Sequence, residues 1–598
     1  MEVATTATAL DAGTGAKTIA AQVPAAVEKH SGRVAQKHKA DGRWVDTTYD
    51  EMGVASMEVA LGLLDLGIRP RDRVAILSHT RPEWTWANFG TISAGATSVS
   101  IYQTNSPEEC HYVLEHSESR AVFVEDEEQL GKVREVRDRL PALEHVVLLE
   151  PGAAADDAIA LDALRERGRA AGGRDEWLRA ADAVSLDDPC QFIYTSGTTG
   201  PPKGCVITHG NYAAMRDMVL GLGSIATNEV VYLYLPLAHS FALLVQFASF
   251  DIGNAIAYWE KDPQRIVANL QEVRPHYFPS VPRVFEKIYT LATAEVDPDD
   301  LRKAVDVGLR VRLARQRGEE VPAELQTAFD ALEGSLYTRV RAIFGGNITR
   351  GVSGAAPIAR EVLEFFFACG IPILEGYGMT ETSTAATGQT VEDFRFGSVG
   401  RILPGMEARI AEDGELLLRG PNIFRGYHRN DEATSEALSD GWLHTGDIAH
   451  VDEDGFVYIT GRKKDIIITA GGKNITPANL ENGLKQSRWV SQAVVIGDRR
   501  PYLVALITLD PEEVPAFAER HGLAPADVPG SEEMRAELQR TVDEVNSKVG
   551  RVEQIKRFEV LREDLSQATG ELTPTLKVKR NVVAEKYASE IEGLYAAA

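Results

Sequence analysis

The chain has 598 residues, too many for one compact hydrophobic core, so two or more domains are expected. Hydrophobic content of 44% and charged content of 25% are ordinary globular values. The formal net charge of −25 argues against general nucleic-acid binding, and any site for a polyanion must then be locally basic or metal-assisted.

In chain order, the first thirty residues are rich in Ala and Thr but lack a basic start followed by an apolar core, so no secretory signal is expected. Apolar strand-like runs at 73–78, 121–125, 145–150, 230–235 and 371–375 alternate with helical patterns. That alternation predicts an α/β fold with largely parallel sheets. Residues 151–183, rich in Ala, Gly and charge, read as a surface excursion. Cys110, Cys190, Cys205 and Cys369 lie far apart without metal-ligand spacing, which predicts free thiols in a reducing compartment such as the cytoplasm. No run approaches the ~18 apolar residues of a spanning helix. The best candidate, 241–250, is short, ends at Asp251 and reads as core or pocket wall.

Residues 194–204 read Tyr-Thr-Ser-Gly-Thr-Thr-Gly-Pro-Pro-Lys-Gly and follow an apolar lead-in at Phe192 and Ile193. Thr195, Ser196, Gly197, Thr198, Thr199 and Gly200 combine close backbone approach with hydroxyl donors, and Lys203 adds a mobile positive charge. This is the composition of a phosphate cradle. It is not a Walker A loop, because Lys203 precedes Gly204 instead of Ser or Thr. Residues 297–344 form a helical insert in two pieces, broken around Gly318 and Pro322. Its expected apolar stripes are Leu301, Val305, Leu309 and Leu313, then Leu325, Phe329, Leu332 and Leu336. They are read as packing faces, with a lipid-surface role as the alternative. Near 461–465 the composition turns polar and basic, and strands at 490–497 and 502–509 with a helix at 532–549 mark a tail of about 130 residues, a domain-sized piece.

Four motifs in order resemble the adenylate-forming synthetases, a superfamily that includes acyl-CoA synthetases, luciferases and peptide-synthetase adenylation domains. They are the 194–204 loop, Tyr377-Gly378-Met379-Thr380-Glu381-Thr382, Gly441-Trp442-Leu443-His444-Thr445-Gly446-Asp447 and Gly461-Arg462-Lys463-Lys464-Asp465. The resemblance spans about Trp44 to Lys579. It implies an α/β fold: a large N-terminal domain of parallel-rich sheets with helices plus a distorted β-barrel subdomain (1–463), and a small mobile α+β C-terminal domain (464–598) hinged at Lys464.

Joining a carboxylate to ATP is an electrostatic problem, since at ~4 Å two like unit charges repel by ~4 kcal/mol at an effective dielectric of 20. The resemblance implies how this chain meets it. The 194–204 loop would hold the β- and γ-phosphates, Thr380 would contact the α-phosphate, and Glu381 would bind Mg²⁺ that arrives with ATP. Tyr377 would stack on adenine, and Gly354 and Ala355, within Ser353-Gly354-Ala355-Ala356-Pro357, would wall the adenine side through backbone. Asp447 would chelate the ribose hydroxyls, with Arg462 as a second ribose or phosphate contact. Lys577 resembles the catalytic lysine that reaches both the α-phosphate and the carboxylate. Lys579 competes for that role, and Leu576 stands where many relatives have Gly. His239 lies where relatives keep a residue near the acyl carboxylate, although a histidine beside an apolar run is also a common structural residue. Lys473, after Gly471-Gly472, resembles the surface that meets the pantetheine arm of coenzyme A once the small domain has turned.

Within the superfamily the chain is most similar to long-chain fatty acyl-CoA synthetases, through Val281-Pro282-Arg283-Val284-Phe285-Glu286-Lys287, the insert after it and Thr573-Pro574-Thr575. The implied co-substrates are ATP and coenzyme A, with Mg²⁺. Leu243, Leu244, Phe247 and Phe250 are candidates for the acyl wall, and Leu243 occupies the place of a gating Trp found in some members. The alternatives are an acyl-AMP ligase that loads a carrier protein and a non-catalytic acyl- or ATP-binding protein. Acyl chain length, oligomeric state and peripheral membrane contact are left open by the sequence.

Overall fold

Two parallel-rich sheets organise the larger part of the chain. The computed structural model describes residues 13–150, 157–195, 201–470, 473–573 and 577–596. The first sheet runs Gly426–Tyr427, Lys203–Thr208, Pro189–Thr195, Thr97–Ile101, Arg73–Leu77, Ser119–Val124, His145–Leu148, Ile159–Ala160; only Lys203–Thr208 runs antiparallel to the others. The second runs Ile373–Glu375, Arg350–Ser353, Tyr277–Ser280, Val230–Leu233, Ala255–Tyr258, Val34–Ala40, Arg43–Thr48, and only the last strand is antiparallel. Their central strands are buried almost throughout because helices cover both faces.

Helices Tyr49–Asp65, Pro82–Ser93, His209–Leu222 and Ser240–Asp251 fill the space between them, contributing Met52, Phe89, Tyr212 and Phe247 to one continuous core. A buried charge cluster ties the two sheets at their C-terminal ends. Glu125, just after Ser119–Val124, accepts from His79 Nδ1 at 2.7 Å and from Lys261 Nζ at 2.6 Å, and Lys261 follows Ala255–Tyr258 in the other sheet. Burial alone would raise this carboxyl; the hydrogen bonds from His79 and Lys261 overcome it and hold the group well below the usual carboxylate range.

The third sheet is antiparallel: Thr387–Gly388, Gly400–Ile402, Phe456–Arg462, Trp442–Val451, Glu415–Arg419, Glu407–Ile410. Its path is open, a half-barrel instead of a closed one. Beyond it, Val490–Ile496, Leu503–Leu509 and Ile555–Val560 form a separate sheet. Helices Pro477–Leu484, Val514–His521 and Glu532–Ser547 pack on one face of this sheet around Trp489, Ile507, Phe517 and Leu538, in a cluster distinct from the main core, while Leu506 packs on the other face with Val583 and Ile591. Ion pairs of Arg283 with Asp510 and of Lys287 with Glu512 join this unit to helix Pro282–Thr293.

Two segments differ from their sequence reading. Within 151–183, helices Leu161–Ala171 and Arg174–Asp182 pack against the large domain instead of standing off it. Trp177 is buried and donates to Ser93 Oγ at 2.8 Å. Gly168 lies so close to helix Tyr49–Asp65 that a Cβ there would sit 1.9 Å from the Glu58 carbonyl oxygen. In the insert, Leu301 and Val305 of the expected stripe pack against the core cluster, but helix Pro298–Gln316 fully buries Ala304, Gly308, Val311 and Ala314, whereas Leu309 and Leu313 stay half-exposed and outside that cluster. Close approach to helix Arg360–Ala368 selects the small side chains: a Cβ on Gly308 would lie 2.6 Å from that of Ala368. The second stripe packs where expected, with Phe329 and Leu336 buried and Leu325 and Leu332 against the same cluster.

Candidate active site

Strands Arg350–Ser353 and Ile373–Glu375 end at a cleft of about 980 Å³ whose other walls come from the first sheet, the half-barrel and the residues after Lys464. The polar end of the cleft is built on the turn after Glu375. Gly378 is required there, because a Cβ would lie 2.1 Å from the Thr384 carbonyl oxygen. The turn continues into a single 3-10 turn, Thr380–Thr382, with Ser383 at φ 52° and Thr384 at φ 113°. Such φ values are unfavourable for residues with a Cβ and persist only where surroundings enforce them. Here Thr384 Oγ1 donates to the Ser240 carbonyl at 2.8 Å and Ser383 Oγ to that of Asn422 at 2.7 Å. The result turns Thr380 and Glu381 toward the cleft, which both line. Across from them Gly354 and Ala355 follow strand Arg350–Ser353; Ala355, at φ 70°, bends the backbone at the same wall.

Asp447 and Arg462 face each other in register on strands Trp442–Val451 and Phe456–Arg462. The Asp447 carboxylate accepts from Tyr377 Oη at 2.6 Å and from Arg462 Nε at 3.0 Å. This fixes the Tyr377 ring, and burial together with the Asp447 charge raises its phenol well above the usual range. Glu381 Oε1 accepts from Tyr427 Oη at 2.6 Å, and Lys203 Nζ lies 4.9 Å from the centre of the Tyr427 ring. Lys203 pairs with Thr195 across the antiparallel edge of the first sheet.

Lys577 lines the same cleft and feels the fields of Arg462, Asp447 and Glu381. Water reaches the side chain through the cleft, but protein encloses its other sides. That enclosure, with Arg462 second, pulls its ammonium below the ordinary lysine value, while Asp447 and Glu381 oppose the shift. Its backbone N–H donates to Thr573 Oγ1 at 3.0 Å, and an antiparallel bridge joins Leu572 to Val578. Lys579 also lines the cleft. His239 caps helix Ser240–Asp251: its Nδ1 accepts from the Phe241 N–H at 3.2 Å, which leaves the ring proton on Nε2. Burial, and then the Lys577 charge, pull this imidazole down to about 4, so it is neutral at physiological pH.

The structure thus brings together Thr195, Lys203, His239, Gly354, Ala355, Tyr377, Thr380, Glu381, Arg462 and Lys577 around one cleft, with Asp447 bonded to two of them. Ser196, Gly197, Thr198, Thr199 and Gly200, with Gly471, Gly472, Pro574, Thr575 and Leu576, lie outside the described residues. Lys473 stands apart from the cleft and pairs with Glu553 at 3.2 Å. Of the four expected acyl-wall residues only Leu244 lines the cleft; Leu243, Phe247 and Phe250 turn inward, where Phe89 stacks on Phe247 at 6.2 Å. The helix carrying them is apolar all round, so sequence periodicity could not say which side faced the cavity.

Sequence reasoning passed over Tyr427, which no local motif marks, and Glu375. The Glu375 carboxyl lines the cleft, accepts from the Gly397 N–H at 3.1 Å and is pushed up to about 8 by burial. An acid at a strand end directly before Gly376-Tyr377-Gly378 was the available signal.

No cluster of three or more His, Cys, Asp or Glu side chains suited to a metal ion occurs among the described residues. The donor set fits a cation carried in on phosphates, with Glu381 as the protein carboxylate.

The chain belongs to the AMP-binding enzyme family: the model of the AMP-binding enzyme matches residues 23–428, and that of the AMP-binding enzyme C-terminal domain matches 464–598. It is 40% identical over 571 residues to the long-chain-fatty-acid–CoA ligase FadD15 of Mycobacterium tuberculosis, covering 93% of each chain. It is 34% identical over 636 residues to the long-chain-fatty-acid–CoA ligase ACSBG2 of Gallus gallus, covering 97% of this chain and 81% of that one. The A domain of carboxylic acid reductase from Segniliparus rugosus, solved with AMP and a co-purified carboxylic acid, matches with a TM-score of 0.77 at 18% identity. That match covers 98% of this chain and 96% of the other, and it is a likeness of fold.

Proposed function

We propose that this chain ligates a long-chain fatty acid to coenzyme A through an acyl-AMP intermediate, with ATP as the energy source. The observation that carries the reading is that one cleft joins a cationic, hydroxyl-lined end to an apolar arm lined by Val219, Leu222, Phe241, Leu244 and Val245. The relatives' shared activity supports it. Each buried CH₂ contributes ~0.8 kcal/mol, so such an arm holds a long tail without polar contacts.

In the first step the fatty-acid carboxylate oxygen attacks the α-phosphorus of ATP. An O–P bond forms, the bond to the bridging oxygen of the β-phosphate breaks, and pyrophosphate leaves. Lys577, the Thr380 hydroxyl and Lys203 are assigned to the negative charge that gathers on the phosphates; preorganised cations of this kind are the main device of phosphoryl and nucleotidyl transfer. His239, neutral with its proton on Nε2, can donate to the acyl carboxylate without a competing charge. Asp447 is assigned to the ribose hydroxyls, with Arg462 and Tyr377 fixing its orientation, and Gly354 and Ala355 to the adenine wall. Mg²⁺, which Glu381 would hold, supplies further neutralisation of the phosphates when bound.

In the second step the coenzyme A sulfur attacks the acyl carbonyl carbon. The C–S bond forms, the C–O bond to AMP breaks, and the thiol proton passes to solvent. The division at Lys464 belongs to the same proposal: residues 464–598 turn about it, withdrawing Lys577 and presenting Lys473 to the pantetheine arm. Thus one cleft serves two reactions in turn. Because long-chain acids partition into membranes, peripheral contact with a lipid surface is part of the proposal; no helix among the described residues is long and apolar enough to cross one.

Purified protein given palmitate, ATP, Mg²⁺ and coenzyme A should yield palmitoyl-CoA and AMP by mass spectrometry. Palmitoyl-AMP accumulating despite coenzyme A would move the function to a carrier-protein ligase.

A further inference from the structure

We propose that Tyr277, backed by a buried Glu229–Arg350 ion pair, is the floor of the acyl arm and sets the longest chain the cleft accepts. This inference rests on the fatty-acid reading of the arm. Strands Tyr277–Ser280 and Arg350–Ser353 run parallel in register, with Tyr277 opposite Arg350 and Ser280 opposite Ser353. Ser353 lines the cleft at its polar mouth, and Tyr277 lines it at the other end of the same strands. Three residues of strand separate the two levels, ~10 Å. Val352, on the same face as Arg350 two residues along, lines the cleft between them. Leu222, Ser224 and Ile225 line the same cleft, and Ser224 lies near the Tyr277 level because its carbonyl accepts from Arg350.

What lies behind Tyr277 is not apolar. The Arg350 guanidinium sits 5.0 Å from the centre of the Tyr277 ring. It gives Glu229 two bonds, Nη1 to Oε1 at 2.8 Å and Nη2 to Oε2 at 2.6 Å. Its Nε donates to the Ser224 carbonyl at 2.6 Å and its Nη1 also to Thr349 Oγ1 at 2.8 Å. Four bonds nearly exhaust the five guanidinium donors, and the charge is matched, so nothing remains to attract a polar chain end. Both charged side chains are 8% exposed. Separating such a pair strands a buried charge, which makes this end of the arm unyielding. A chain terminus meets the face of the Tyr277 ring. A longer chain would have to displace that ring and press methylenes onto the ion pair.

Two substitutions of opposite sense test this. Rates of acyl-CoA formation are measured as kcat/KM over saturated acids of increasing length for the unsubstituted protein, Tyr277→Ala and Tyr277→Trp. Each additional methylene that leaves water is worth a factor of about four in binding. Tyr277→Ala should therefore shift the optimum upward by two carbons or more, raising the ratio of longer to shorter acid by about fifteenfold. Tyr277→Trp should shift it downward. If the bulkier variant does not fold, the smaller one decides alone. Unchanged length profiles in folded, active variants would overturn the inference and leave the pair as a strand-register element only. Failure of the unsubstituted protein to form acyl-CoA from any acid would overturn the ligase reading, and this inference with it.

Discussion

Asp447 holds two partners at once, and that double contact decides how the polar end of the cleft behaves. With Tyr377 and Arg462 both bound to it, the carboxylate is oriented before any ligand arrives. Lys577 is the opposite case. Its surroundings disfavour its charge, so an incoming phosphate supplies the counter-charge the folded protein withholds. The depressed lysine is charged below its pKa and loses that charge as pH rises through it, earlier than an ordinary lysine would. ATP–pyrophosphate exchange followed against pH should show an alkaline decline below the usual lysine range, and Lys577→Arg should move that decline upward. A decline that stays in place would assign it to another group. His239, already neutral down to about pH 4, should leave no inflection near 6.5 in the same profile.

Elements were legible in the sequence where their apolar residues had one clear period, and misread where two patterns competed. The strands at 73–78, 121–125 and 371–375 stood out because parallel strands covered on both faces are apolar throughout. In the insert, helical spacing predicts a stripe through Leu301, Val305, Leu309 and Leu313; the first two pack against the core, yet the fully buried face is Ala304, Gly308, Val311 and Ala314. Small residues carry little hydrophobic signal but allow a helix to come close. Gly308→Val should therefore lower the melting temperature, at a cost of about 1–3 kcal/mol from overpacking. Leu309→Gln should stay within about 0.5 kcal/mol. Thermal unfolding of both variants checks the register; equal losses would restore the leucine face. Helix Ser240–Asp251 was unreadable for another reason: it is buried on nearly every side, and the packing of Phe247 and Phe250 against Phe89 shows which face is the core.

At the scale of the whole molecule, the order of the motifs was visible in the sequence but their convergence was not. Thr195, His239, Thr380, Arg462 and Lys577 come from separate sheets and from the C-terminal unit, and only the fold brings them to one cleft. Groups without a motif escaped for the same reason. Glu229 and Arg350 are 121 residues apart, and Glu125 and Lys261 136, so no local pattern could pair them. The phosphate-loop residues Ser196 to Gly200 stay an expectation of the sequence.

The central claim is that one cleft performs two reactions and that Lys577 serves only the first. Lys577→Ala should be assayed for each half separately: palmitate with ATP and Mg²⁺ for adenylation, and preformed palmitoyl-AMP with coenzyme A for thioester formation. Adenylation should fall by a hundredfold or more, on the order of the loss when a preorganised charge-stabilising group is removed. Thioester formation from palmitoyl-AMP should continue at a rate close to that of the unsubstituted protein. Equal loss of both halves, or adenylation that persists unchanged, would contradict it.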